Sequence, residues 1–327
     1  MRYFLRKFGF YAVAAWMALT LNFFLPRLIP GNPVEILLAK MSQSGPTPPG
    51  EAKALSAMLG LGHGNIVVQY VDYLGALAQG KLGISVTNFP EPVVNILAST
   101  LPWTIVLVGV STVLSFVIGI GLGALAGWRR RGLVDALIPT TTFLTALPYF
   151  WLALLLLYLL AVVIRVFPLD GGYSPNNLPG LNLGFLASAV YHSVLPALTI
   201  VISSVGGWLL GMRNMTVTTL AEDYVVAAEA KGLSPRRILV RYAARNAVLP
   251  SFTGFAISLG FVVSGSILME YVFSYPGIGF ELLQAVQNDD YPLMQGIFLV
   301  ISFAVLGANL ITDLVYGFVD PRTRQET

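Results

Sequence analysis

Six stretches of this chain are apolar and free of Asp, Glu, Lys and Arg: Phe8 to Leu25, Pro102 to Gly127, Ala136 to Ile164, Val194 to Met212, Leu249 to Met269 and Tyr291 to Thr312. A helix needs about 20 such residues to cross a hydrocarbon core. Backbone groups in lipid must be satisfied within their own segment, so each stretch is expected to be helical. Of the 327 residues 56% are hydrophobic and only 11% charged, which places the chain well outside the composition of a soluble domain. The expected fold is all-α, a polytopic membrane protein with six transmembrane helices. There is no cysteine, which excludes disulfides and thiolate metal sites.

Positive charge separates the connecting segments into two sets. Arg2, Arg6 and Lys7 precede the first span, and Arg129, Arg130 and Arg131 lie between the second and third. Arg213, Lys231, Arg236, Arg237, Arg241 and Arg245 lie between the fourth and fifth, and Arg322 and Arg324 end the chain. The alternate segments carry only Arg27, Lys40, Lys53, Lys81 and Arg165. The positive-inside rule then puts both termini and the loop from Arg213 to Arg245 in the cytoplasm.

That loop has a readable grammar. Thr219-Leu-Ala-Glu222 fits a capping box, which predicts a helix over Leu220 to Lys231, with Asp223 and Lys231 at the ends the helix dipole favours. Gly232 stands where a left-handed residue closes a helix. Ser234 and Pro235 then read as the cap and first residue of a second helix. Arg237, Arg241 and Arg245, spaced by four, would form one basic stripe.

Several segments together resemble the permease subunits of binding-protein-dependent ABC importers, in their dipeptide/oligopeptide/nickel branch. They are Glu222-Asp-Tyr-Val225, Ala228-Glu-Ala-Lys-Gly-Leu233 and Arg245-Asn-Ala-Val-Leu-Pro250, with Ile29-Pro-Gly-Asn-Pro33 after the first span. Val272-Phe-Ser-Tyr-Pro-Gly-Ile-Gly279, Asp289-Asp-Tyr-Pro292 and Asp313-Leu-Val-Tyr-Gly-Phe-Val-Asp-Pro-Arg322 agree, so the resemblance covers essentially the whole chain. The loop departs from the family's Glu-Ala-Ala signature, with Val226-Ala227-Ala228 in its place and Glu222 displaced upstream. The resemblance implies that Glu222, Asp223, Tyr224, Ala228, Lys231 and Gly232 serve ATPase coupling. It further implies a second, similar permease chain, two ATP-binding subunits or domains, and an external substrate-binding protein. On this reading the chain binds no cofactor of its own, and ATP and Mg belong to the partner ATPases. The cargo would be peptides, with oligosaccharides or nickel as alternatives.

The remaining residues are consistent with conduction rather than chemistry. Gly119, Gly123 and Gly127 recur at four-residue spacing, a pattern that lets two helix backbones approach. Pro139 and Pro148 bracket threonines in the third span, where freed carbonyls need partners. Thr141 and Thr145, with Ser258 and Ser264 of the fifth span, are the candidate translocation-pathway residues. The six spans hold no charged side chain, with Glu270 and Asp313 at their ends, which disfavours the alternative of an ion-gradient-driven secondary transporter. His63 and His192 are the only histidines and read as solvated or interfacial rather than as a metal pair. Gly80-Lys81 is followed by Leu82, whereas a phosphate loop needs Ser or Thr there, so no ATP hydrolysis is expected of this chain. The two-helix loop enters the membrane at both ends, which leaves no recognition helix free for nucleic acid.

The expected organisation is a cytoplasmic N-terminus and first helix over 1–29, an external segment over 30–99, and a five-helix permease core over 100–318. That core carries the coupling loop 214–250, and a cytoplasmic tail follows at 319–327. The basic start of the first span suits a signal peptide, but no small-residue cleavage site follows it, so it is read as retained. Within the external segment, 42–50 reads as a turn-rich loop. Val67 to Gln79 reads as a helix with Val67, Tyr70, Val71, Leu74 and Leu77 on one side.

Overall fold

The computed structural model describes residues 2–28, 65–264 and 267–319. The expected loop at 42–50, His63 and the motif residues 29–33 and 320–322 lie outside them. Among the described residues the chain is helical, and its one extended pairing is an isolated bridge between Ile84 and Pro92. Among the described residues, three helices are long and apolar enough to cross a membrane: Val93–Trp128, Leu183–Leu220 and Tyr291–Ile311. A fourth crossing results if Asp135–Ala146 and Tyr149–Val163, bent by 102° at their junction, count as one span.

The chain forms two compact units, one from 1–104, 263–267 and 276–327, the other from 105–262 and 268–275. In the first unit, helix α1 (Arg2–Leu28) packs on a C-terminal helix (Tyr291–Val319). The contact is fastened by two amides, with Asn22 Nδ2 donating to the Gln295 carbonyl at 2.9 Å and Gln295 Nε2 to the Asn22 carbonyl at 3.1 Å. Side-chain hydrogen bonds between helices in a membrane contribute about 0.6 kcal/mol each on average. Helix α2 (Ile66–Ala78) lies where periodicity placed it, but its inner face differs. Tyr70 and Tyr73 meet the buried Phe23 ring, and the Tyr70 hydroxyl lies 2.8 Å from Thr20 Oγ1, while Val67 and Val71 stay exposed. Rings with a hydroxyl satisfy both the apolar and the polar part of α1, and an aliphatic periodicity does not register that preference.

Beyond α2 a tight turn over 83–92 is clasped by Asp290. Its buried carboxylate accepts from Ser85 Oγ, from the Thr87 amide at 2.7 Å and from the Leu293 amide at 3.1 Å, the last capping the C-terminal helix. Behind the clasp, Val93, Ile96, Leu97, Ile278, Leu282, Leu293 and Ile297 form the unit's core.

In the second unit, α3 (Val93–Trp128) runs against the 38-residue helix Leu183–Leu220 through the expected glycines. A Cβ at Gly119 would lie 2.4 Å from Trp208 Cβ, one at Gly123 2.5 Å from the Leu209 carbonyl oxygen, and one at Gly127 2.7 Å from Thr216 Cβ. Phe116 stacks on Phe255 with centroids 4.2 Å apart and meets Trp208 edge-on. The third span is broken, with α4 (Ile138–Ala146) ending at Leu147 in an extended conformation before Pro148 opens α5 (Tyr149–Leu156), which continues as a π turn to Val163. Proline disfavours helix in the residue before it, which is what ends α4. The long helix Leu183–Leu220, α6, receives α3, α4 and α5 on its sides.

Candidate functional site: the loop between α6 and the following span

The short helix α7 (Asp223–Ala230) follows α6 after two residues. The expected capping box does not form. Thr219 still belongs to α6, where its hydroxyl donates to the Met215 carbonyl at 2.8 Å. Glu222 is itself the N-cap residue, with an extended backbone and no side-chain cap bond. Because the span's helix runs on to Leu220, the expected start of the loop helix is displaced by three residues to Asp223. The C-terminal end matches expectation. Gly232 has φ +71°, its amide donates to the Glu229 carbonyl at 2.9 Å, and the Leu233 amide reaches the Ala228 carbonyl at 3.3 Å. These two bonds are the reversed closure that a left-handed glycine permits.

Ser234 and Pro235 do open a second helical turn, over Pro235–Arg237, although the Ser234 hydroxyl makes no cap bond. A π turn over Ile238–Ala244 follows before α8 (Arg245–Gly260). The wider turn, with its i to i+5 bonding, breaks the α-helical register assumed for Arg237, Arg241 and Arg245. All three remain exposed.

The loop folds onto its own small core. Val225, Ala228 and Ile238 are buried, with Trp128, Leu220, Leu233 and Tyr242 packed around them. Asn246 Nδ2 donates to the Tyr224 hydroxyl at 2.8 Å, joining α7 to the start of α8. Of the residues expected to serve coupling, Glu222, Asp223, Tyr224, Lys231 and Gly232 are exposed on the outer side, while Ala228 faces the loop's core. Val226 is 54% exposed on the same side as Glu222 and Glu229, opposite the buried Val225 and Ala228.

A second tie reaches the same helix. Asp135 accepts from the Arg131 amide at 2.9 Å and from Arg213 Nε, on α6, at 3.2 Å. The Arg131 amide, with help from the Arg213 guanidinium, holds its carboxyl below the ordinary carboxylate range.

Of the expected pathway residues, Thr141 and Thr145 lie on α4 and Ser258 on α8. Thr141 and Thr145 sit against Gly206 of α6, where an added Cβ would meet Thr145 Oγ1 and the Thr141 carbonyl. The Thr145 hydroxyl bonds back to the Thr141 carbonyl at 2.8 Å, and the Ser258 hydroxyl bonds to the Phe255 carbonyl at 2.8 Å. Ser264 closes a short 3-10 turn after α8. His192 places Nδ1 2.8 Å from the Ser188 carbonyl, and Gly80 closes α2 with φ +72°.

A long apolar helix thus leads into a short, exposed helix closed by a left-handed glycine. Residues 119–325 match the model of the binding-protein-dependent transport system inner membrane component family, and the chain belongs to that family. It is 33% identical to the di/tripeptide transport system permease protein DppB of Pseudomonas aeruginosa, over 98% of both chains. It is 31% identical to the dipeptide transport system permease protein DppB of Escherichia coli K12, over 100% of this chain and 99% of that one. The oligopeptide transport system permease protein AppB of Bacillus subtilis is 31% identical over 92% of both.

Proposed function

We propose that this chain is the permease subunit of an ATP-driven importer that conducts peptides delivered by an external binding protein. It pairs with a second, homologous permease and with two ATP-binding subunits or domains. The observation that carries this reading is α7, exposed on its outer face, closed by Gly232 and packed through Val225 and Ala228 onto Ile238. Glu222, Asp223, Tyr224, Val226 and Lys231 meet the ATPase, and Ala228 and Gly232 hold them in place. ATP binding moves α7, and α6 transmits that motion because only two residues separate the helices. A ligand shifts such an equilibrium only by binding the two states unequally, so the ATPase must grip α7 differently in its open and closed forms.

On this reading ATP and Mg are bound by the partner ATPase subunits, and this chain supplies no cofactor site of its own. It crosses the membrane six times, with both termini and the coupling loop in the cytoplasm. Thr141, Thr145, Ser258 and Ser264 border the pathway once the partner permease is in place. The test is import of a labelled dipeptide into vesicles carrying the full complex. Uptake should require ATP and persist when ionophores collapse the proton and sodium gradients. Uptake by the isolated chain down either gradient would replace this reading with a secondary transporter.

A further inference from the structure

The loop from Arg165 to Asn182 and the first residue of α6 together present three strongly exposed leucines. Leu178 is 82% exposed, Leu181 100% and Leu183 85%. The segment that presents them is well tied. Gly171 donates to the Phe273 carbonyl at 3.0 Å and Ser174 N to Ser188 Oγ at 2.8 Å, while the Tyr173 and Phe185 rings meet at 5.1 Å. Asn182 caps α6, accepting from Phe185 N at 2.8 Å, and its Nδ2 reaches back to the Leu178 carbonyl at 3.2 Å. A turn braced this closely holds the leucines outward. Exposed apolar side chains gathered in a patch mark a surface that something covers.

Two observations say what covers it. No Asp, Glu, Lys or Arg occurs from Gly171 to Met212, and the next residue is Arg213, ion-paired with Asp135. From Leu183 to Met212 the helix is about 45 Å long, which matches a bilayer of about 40–45 Å including both headgroup zones. With Arg213 at one boundary, the leucine turn therefore lies at the opposite headgroup level. The leucines also continue one exposed apolar stripe, since Leu186, Val190, Val194 and Leu198 follow Leu183 at spacings of three and four and all are exposed. We propose that Leu178, Leu181 and Leu183 insert into the headgroup and upper acyl zone of the leaflet away from Arg213, making this turn a lipid anchor that fixes the depth of α6. An apolar turn without charge fits that zone as the apolar face of an interfacial helix does.

The absence of native cysteine permits a direct test. Leu181→Cys and, as a control, the exposed Asn176→Cys are labelled with an environment-sensitive fluorophore. The complete transporter is then reconstituted in phosphatidylethanolamine and phosphatidylglycerol vesicles. At position 181 the emission should be blue-shifted and protected from aqueous iodide. It should be quenched more by a lipid spin label near the headgroup than by one at the chain end. The label at 176 should stay red-shifted and open to iodide. Iodide quenching at 181 equal to that at 176 would overturn the anchor, and so would strongest quenching from the chain end. A shift at 181 that appears only on adding a substrate-binding protein would also overturn it, in favour of a protein contact.

Discussion

A Cβ placed at Gly232 would meet nothing within 4 Å, so the consequence of replacing this residue is carried by its φ of +71°. Gly232→Val should strain the turn by about 1–2 kcal/mol or more. Gly232→Ala should cost less, and Gly232→Asn least, because Asn tolerates the left-handed region. Membrane abundance should stay normal across the series, while co-purification of the ATPase and its stimulation by loaded binding protein fall in the order Asn, Ala, Val. A flat series would remove Gly232 from the coupling contact. Glu281 carries the second prediction at this scale. Burial first, then the nearby Asp290 and Glu91 carboxylates, push its carboxyl above the ordinary range, against a hydrogen bond from Asn88. A carboxyl raised in the folded state contributes stability at low pH that is lost as pH rises through its folded value. Melting temperature in detergent should therefore decline across that interval, and Glu281→Gln should flatten the decline. Gly232 was legible in the sequence because its requirement is local. Glu281 was not, since its burial and its neighbours Glu91 and Asn88, nearly two hundred residues away in sequence, arise only on folding.

At the scale of elements, the glycines of α3 were legible because a four-residue spacing of small side chains admits few other uses in lipid. Gly119→Val would drive side-chain atoms into Trp208, whose Cβ lies 2.4 Å from the added Cβ position, whereas Gly121 faces open space. Overpacking of this kind costs about 1–3 kcal/mol. Thermal unfolding in detergent should show Gly119→Val clearly less stable than the parent, with Gly121→Val close to it. Equal behaviour would mean α3 and α6 separate without cost. The expected start of the loop helix failed for a related reason. Thr219 and Glu222 have the spacing of a capping box, but whether a span's helix has ended by Thr219 depends on what packs along α6, including the Val225, Ala228 and Ile238 cluster that receives Leu220. Pro148 marks in the sequence where the third span breaks, but not the 102° of the bend, because proline sets where a helix breaks and the neighbouring helices set the angle.

At the scale of the whole molecule, the distribution of arginine carries the orientation, and the native lack of cysteine makes it measurable. Asn176→Cys should react with an impermeant thiol reagent on intact cells, and Glu229→Cys only after the membrane is opened. The reverse pattern would invert the topology argued from charge. The partners remained beyond the reach of composition and periodicity, and motif resemblance alone suggested them. The continuity of α6 has one more consequence. Its glycine-matched portion ends by Thr216 and its last residue is Leu220, two residues before α7. Inserting a single alanine at 217–220 would leave every helix contact upstream in place. It would turn α7 through about 100° and advance it by about 1.5 Å. Such a protein should insert and keep the α3–α6 contact, yet turn Val225 and Ala228 away from Ile238 and present the wrong side of α7, a transmission whose gears are sound but out of phase.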